Sequence, residues 1–295
     1  TRLLKFYKIY IKTLTSYHSM LYNTGNLTER VLKVKTNKRD MILESIISAY
    51  LDSNTPIGSS ELGERMGVAM SASSIRIYFK RLSDEGALTQ LHVSGGRIPT
   101  VATMQDYWRA RLSFDDELKI DDARELEAVL EDFEIYCMIF NAENEALSEV
   151  INHDDRFIIL AFRTDEIILK YDFRVFKFLS NLIGISLGDL ELASMQIGLR
   201  ELSTKIKELK NSKIEFLCNE VVAYKIFKDE RFKILLNPSI AVNFTKNLIF
   251  APYFEHGFMG IKRPVKFEGE DATMICAGSV YENYEKFFNY AKGVA

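Results

Sequence analysis

The chain has 295 residues, of which 47% are hydrophobic and 27% charged, with a formal net charge of −3 at pH 7. No internal repeat or low-complexity tract appears, and no run approaches the roughly 18 consecutive apolar residues of a membrane-spanning helix. The length exceeds a typical single domain, so two are expected, and the charge is divided unevenly: residues 1–111 carry 16 Lys plus Arg against 9 Asp plus Glu, a net of +7, leaving −10 for the remainder.

A basic part attracts polyanions and an acidic part avoids them, so the modest total conceals a polarised molecule. Nine of the basic residues precede Met41, and residues 41–111 are balanced at 7 against 7. At the start of the chain, Arg2, Lys5, Lys8 and Lys12 fall on one side of a helical wheel, and Leu3, Leu4, Tyr7, Tyr10, Ile11 and Leu14 mostly on the other. Residues 1–36 therefore read as a basic amphipathic extension. Three readings stay open: packing on the rest of the protein, a true start nearer Asn37, or weak contact of residues 1–24 with an anionic membrane surface. A secretory signal is excluded by the lysines that interrupt its apolar run.

From Asn37 to Leu51, residues Ile42, Leu43, Ile46, Ile47 and Tyr50 recur at helical spacing and predict a core-facing helix. Thr55-Pro56-Ile57-Gly58 breaks it, Ser59 offers an N-cap for a short second helix to Met66, and Gly67 closes that helix. Ser71 can cap a third helix, in which Ile75, Phe79 and Leu82 share a core-facing arc of about 60°. The opposite arc carries Ser73, Ser74, Ile77, Lys80 and Arg81, with Arg76 on its flank; hydroxyl and cationic groups in this arrangement suit base edges and phosphates. Leu88 to Val93 reads as a strand, Gly95-Gly96 permits a tight hairpin, Arg97 sits where it can reach a phosphate or minor groove, and Pro99 confines the returning strand to an edge. This is the pattern of a winged helix-turn-helix over residues 37–112.

These residues resemble the HrcA heat-inducible transcription repressors. The resemblance is carried by Arg39 to Tyr50, by Pro56-Ile57-Gly58-Ser59 followed by Leu62, by Ser73-Ser74-Ile75-Arg76, and by Gly96-Arg97-Ile98-Pro99-Thr100. Ile77 stands where the family commonly has Asn. Past Leu112 the likeness thins to a general layout and the run Met274-Ile275-Cys276-Ala277-Gly278-Ser279 before a closing helix. The resemblance implies a GAF-like α+β domain with an inserted dimerisation segment over residues 113–295. It also implies a homodimer on an inverted-repeat operator in double-stranded DNA, repression of chaperone genes, and modulation by the GroE chaperonin.

Along that second region, Asp115 to Glu134 predicts an acidic linker helix with Leu118, Leu126, Val129 and Leu130 as a partial stripe. Ile135 to Phe140, Phe157 to Phe162 and Ile167 to Tyr171 read as strands, Val175 to Ile183 as a helix, and Asp189 to Lys210 as one longer helix. Strand-like segments return at Phe232 to Leu236, Leu248 to Phe254 and Thr273 to Ala277, ahead of a helix from Glu282 to Lys292.

Catalysis finds no constellation. His18, His92, His153 and His256 are scattered, Cys137, Cys218 and Cys276 lack zinc-ligand spacing, and Gly184-x-x-x-Gly188 is no phosphate loop. Free structural cysteines suggest a reducing, cytoplasmic compartment, and no metal or cofactor is expected. The sequence therefore predicts an α+β repressor whose reading residues are Ser73, Ser74, Arg76, Ile77 and Lys80, with Arg81, Arg97 and Thr100 on phosphates or at the wing. The alternative is a winged-helix regulator controlled by a small molecule in the GAF-like domain.

Overall fold

The computed structural model describes residues 27–67, 70–90, 95–141 and 145–293, with side chains from residue 38 onward. The amphipathic pattern and membrane contact expected for residues 1–24 lie outside the described residues, as do positions 91–93 of the expected strand Leu88 to Val93. The chain divides into two compact units, Thr1–Pro99 and Thr100–Ala295.

In the first unit α1 (Leu27–Ser53) is longer than the periodicity predicts and is followed by α2 (Ser59–Met66) and α3 (Ala72–Asp84). Ile42, Ile46 and Ala49 of α1, Leu62 of α2, and Ile75, Phe79 and Leu82 of α3 close on one another around Ile57 and Leu88. Each such aliphatic or aromatic side chain, fully buried, stabilises by about 1.5–3 kcal/mol. Gly67 ends α2 at φ 59°, a left-handed conformation that glycine adopts without a Cβ clash. β1 (Leu88–Thr89) and β2 (Ile98–Pro99) then pair antiparallel, Leu88 opposite Pro99.

The second unit is α+β. It opens with α4 (Val101–Arg111), capped by Thr100, whose Oγ1 accepts from the Thr103 amide at 3.3 Å. The sequence pattern predicts no helix here because only Met104 and Trp108, one turn apart, are buried in an otherwise polar stretch. Trp108 is fully buried, donates from Nε1 to the Val280 carbonyl at 2.7 Å, and meets Tyr284 edge-on at 5.5 Å between centroids. That anchoring moves the boundary between units to Pro99, ahead of the expected position at Leu112.

Asp115 to Glu134 is not one helix. Leu118–Ile120 forms β3, with alternating burial, and α5 starts at Ala123 because the Asp122 carboxylate accepts from the Arg124 amide at 2.7 Å and caps it there. The principal sheet also contains β4 (Ile135–Phe140), β8 (Ile214–Cys218), β9 (Leu248–Ile249), β10 (Phe258–Phe267) and β11 (Glu270–Ser279). Its order is β3-β10-β11-β4-β8, antiparallel except for the β3–β10 pair, with β9 also on β10. Tyr136, Met138, Phe140, Ile275 and Ala277 pack on one face against α9 (Glu220–Phe227) and the turns after it. The opposite face meets α10 (Tyr284–Lys292), where the Arg263 guanidinium lies 5.0 Å from the centre of the Phe288 ring.

Between the neighbouring strands β4 and β8 the chain inserts a lobe with its own core. A meander of β5 (Glu149–His153), β6 (Phe157–Ala161) and β7 (Glu166–Lys170) is backed by α6 (Phe173–Ser180), α7 (Leu187–Gln196) and α8 (Arg200–Asn211). The single helix expected from Asp189 to Lys210 is broken at Gly198, which adopts φ 77°. Of Phe232 to Leu236, expected as a strand, Phe232 to Ile234 lie in a 3₁₀ turn (Glu230–Ile234) and Leu235 and Leu236 in the turn after it, and a second 3₁₀ turn follows at Pro238–Asn243. The side chains of Asp229 and Asn237 accept from the amides of Arg231 and Ser239, both at 2.9 Å, and this local capping prevails over the apolar run. Of Leu248 to Phe254, only Leu248–Ile249 is a strand.

Trp108→Ala is expected to cost about 3–5 kcal/mol, the range for deleting a buried tryptophan. Urea unfolding of the variant checks this, and an unchanged midpoint would contradict the anchoring role of α4.

Candidate nucleic-acid interface

The first unit presents one face of α3 with the hairpin beside it. Ser71 caps α3, its Oγ accepting from the Ser74 amide at 3.2 Å, and the hydroxyls of Ser73 and Ser74 lie 2.8 and 3.0 Å from the same oxygen. Burial of Ile75, Phe79 and Leu82 fixes the rotation of the helix and leaves Ser73, Arg76, Ile77, Lys80 and Arg81 exposed, with Ser74 half-buried. Ile77 is 70% exposed, which is notable for a large apolar side chain among cations.

The cations of this face have different settings. Arg76 donates from Nε to the Ser59 hydroxyl at 3.1 Å and so leans toward the start of α2. The cap of α2 is Gly58, not Ser59 as the sequence suggests; Ser59 is already helical, which frees its hydroxyl for Arg76. Arg81 pairs with Glu85 at 2.9 Å, and Glu85 also binds Arg39 at 2.6 Å, so these three tie the end of α3 to α1. Hydrogen bonds from Arg39 and then Arg81 hold the Glu85 carboxyl below the usual carboxylate range. Lys80 has no hydrogen-bond or ion-pair partner among the described residues.

The hairpin is held from the other side. Ile57 and Arg97 exchange two backbone hydrogen bonds, both at 2.9 Å, which add residue 57 to the edge formed by β1 and β2. Arg97 is half-buried and donates from Nε to the Ser83 hydroxyl at 3.2 Å. Gln90 donates from Nε2 to the Gly95 carbonyl at 3.1 Å across the hairpin. Between the hairpin and α2 a recess of about 640 Å³ is bordered by Ser59, Ser60, Arg76, Gln90, Gly96 and Arg97.

The structure thus places Ser73, Ser74, Arg76, Ile77, Lys80 and Arg81 on one helix and Arg97 beside it. Thr100 belongs to the second unit, where its hydroxyl caps α4. Ser59, Ser60 and Gln90 were not legible as members of this surface; their only sequence signal was the polar character of a helix start and a strand end. Among the described residues no group of three or more His, Cys, Asp or Glu side chains is arranged to hold a metal ion, and no helix is long and apolar enough to cross a membrane.

Comparison with known proteins supplies a family. A family model described as the HrcA C-terminal domain matches residues 108–295. The chain is similar to the heat-inducible transcription repressor HrcA of Helicobacter pylori strain J99, 30% identical over 253 residues that cover 85% of this chain and 93% of the relative. The corresponding protein of strain 26695 is equally similar over the same shares. The protein of that name from Syntrophobacter fumaroxidans is 35% identical over 98 residues, 33% of this chain and 27% of the relative.

A Cβ built on Gly96 would lie 2.6 Å from backbone atoms of Pro56 and Ile57. Gly96→Ala is therefore expected to force the hairpin off residue 57 and cost about 1–3 kcal/mol, as overpacking does; a thermal melt indistinguishable from that of the parent chain would refute the contact.

Proposed function

The chain belongs to the HrcA family, and from that premise we propose that it is a DNA-binding repressor of heat-shock genes whose first unit acts as a winged helix-turn-helix. The observation that carries this reading is the exposed face of α3, with Ser73, Arg76, Ile77 and Lys80 directed away from a well-packed core. In this reading α3 enters the major groove, and Ser73, Ser74, Ile77 and Lys80 reach base edges. The apolar Ile77 suits a thymine methyl, and the Lys80 ammonium suits guanine acceptors. Arg76, drawn to Ser59, contacts phosphate at the groove wall, and the hairpin with Arg97 acts as the wing. Arg81 supports the helix through Glu85.

The second unit serves as the GAF-like and dimerising part. Support comes from the inserted lobe: Ile151 lies opposite Ile159, and Ile159 opposite Ile168, on the side of the meander away from its core. Ile151, Ile168 and the adjacent Phe157 are exposed. Such an apolar row suits an isologous contact with a second copy, and two copies would set two reading helices on the halves of an inverted repeat. The family premise extends the reading to a cytoplasmic repressor of chaperone genes whose active state the GroE chaperonin helps maintain.

A salt series of binding to a duplex carrying the inverted repeat, beside a scrambled duplex, tests this. A ratio of about 10³ or more at physiological salt supports the repressor, and equal weak binding to both removes it. Arg76→Ala is expected to weaken operator and scrambled duplex by the same factor and to reduce the salt slope by about 1; a loss confined to the operator would make Arg76 a base reader. Ile168→Glu is expected to shift the chain toward monomer in sedimentation equilibrium and to weaken operator binding with it, because a buried unpaired carboxylate opposes association. An unchanged dimer would move the interface elsewhere.

A further inference from the structure

Where α7 and α8 of the inserted lobe face the two 3₁₀ turns at Glu230–Ile234 and Pro238–Asn243, a cleft of about 420 Å³ opens in the second unit. We infer that this cleft binds a small organic anion with an apolar body, of the medium-chain carboxylate class.

Its walls are Leu192 and Met195 from α7 and Ile234, Ile240 and Val242 from the turns. Leu192, Met195 and Ile234 remain exposed, so large apolar side chains from two separate elements converge on water. The volume lies within the range of small-molecule sites, roughly 300–1,000 Å³, which are mostly apolar with a few polar groups to fix orientation.

The polar groups decide the charge of the occupant. Glu191 lines the cleft, but its carboxylate is 2.6 Å from the buried Lys210 ammonium, and the pair neutralises itself. Lys233 pairs with Glu230 at 3.2 Å. Lys207 lines the cleft and has no hydrogen-bond or ion-pair partner among the described residues, so the uncompensated charge is positive. The Ser239 hydroxyl, also in the lining, is shielded from solvent and has no partner. A buried hydroxyl in that state is a standing cost that an acceptor would remove. A carboxylate would pair with Lys207 while its chain covers the apolar walls, and rotation about the Ser239 Cα–Cβ bond would turn the shielded hydroxyl out to donate to it. A cation meets repulsion, and a neutral alcohol leaves Lys207 unmatched. This gives the ligand-responsive alternative read from the sequence a location and a chemistry, and it does not depend on DNA binding.

The test is calorimetric titration of the full chain with octanoate, 1-octanol and octylammonium, each below the concentration at which it self-associates. Saturable one-to-one binding of octanoate is expected, at least tenfold weaker for the alcohol and weakest for the ammonium. Lys207→Glu, an exposed substitution, should weaken octanoate at least tenfold and leave 1-octanol unchanged, and Val242→Trp should abolish both by filling the cleft. Melting temperature and operator binding of Lys207→Glu without octanoate serve as controls for folding. Equal affinity for the three probes, absence of saturation, or unaltered octanoate binding by Lys207→Glu would overturn the inference, whether or not the operator is bound.

Discussion

The two backbone hydrogen bonds between Ile57 and Arg97 are the constraint on which the surface formed by α3 and the hairpin depends. Among the described residues β1 and β2 share two residue pairs, and an isolated two-stranded hairpin is marginally stable at best in water. Residue 57 joins their edge immediately before α2 begins, so one interaction couples the hairpin to the helix start. Its neighbours reinforce it: Arg97 reaches Ser83 on α3, Arg76 reaches Ser59 on α2, and Ile57 is itself fully buried in the core. Three helices and a hairpin thereby become one rigid surface. The absence of a side chain at residue 96 is the condition for the close approach.

Most of the first unit was legible because its signals are local. Ile75, Phe79 and Leu82 report their common face through spacing alone, and Ser71 and Gly67 mark ends by backbone chemistry that acts within a few residues. What the periodicity could not reveal was how cations are shared out. On a helical wheel Lys80 and Arg81 share one arc with Arg76 on its flank, yet Arg76 is drawn to Ser59, Lys80 is unpartnered among the described residues, and Arg81 is locked to Glu85. Those differences come from residues 17 positions upstream in one case and from α1 in another.

The second unit was read less completely for the converse reason. β10 hides behind Lys262, Arg263 and Pro264, residues that argue against a central strand; in the fold Arg263 is buried, its guanidinium against Phe288 and its Nη2 donating to the Asp116 carbonyl at 2.7 Å. Pro264 falls between the segments of β10 that pair with β9 and with β3. The insertion between β4 and β8 is equally silent in sequence, because strand adjacency is set by pairing across some 70 intervening residues and not by local pattern. The three cysteines show the same gap: spacing gave no relation among them, whereas Cys276, Cys137 and Cys218 stand side by side on successive strands. Burial raises the Cys137 thiol well above its ordinary range, which fits a packing role in the sheet.

On the proposed reading, the distribution of charge around the exposed face of α3 bears on what a second copy would add. Residues 41–111 carry as many acidic as basic side chains, and within the described surface Arg81 and Arg97 already have partners in Glu85 and Ser83. Affinity for DNA grows with the number of phosphates neutralised, each contributing through release of condensed counterions. Within that surface Arg76 and Lys80 are the less constrained cations, and nine of the 16 basic residues among the first 111 precede Met41. In the proposed dimer a second unit held at fixed spacing would double the contacts of Ser73, Ile77 and Lys80, since two linked weak contacts gain through effective concentration what neither has alone. In that proposal the apolar row Ile151, Ile159 and Ile168 of the inserted lobe is the surface on which the two copies would meet.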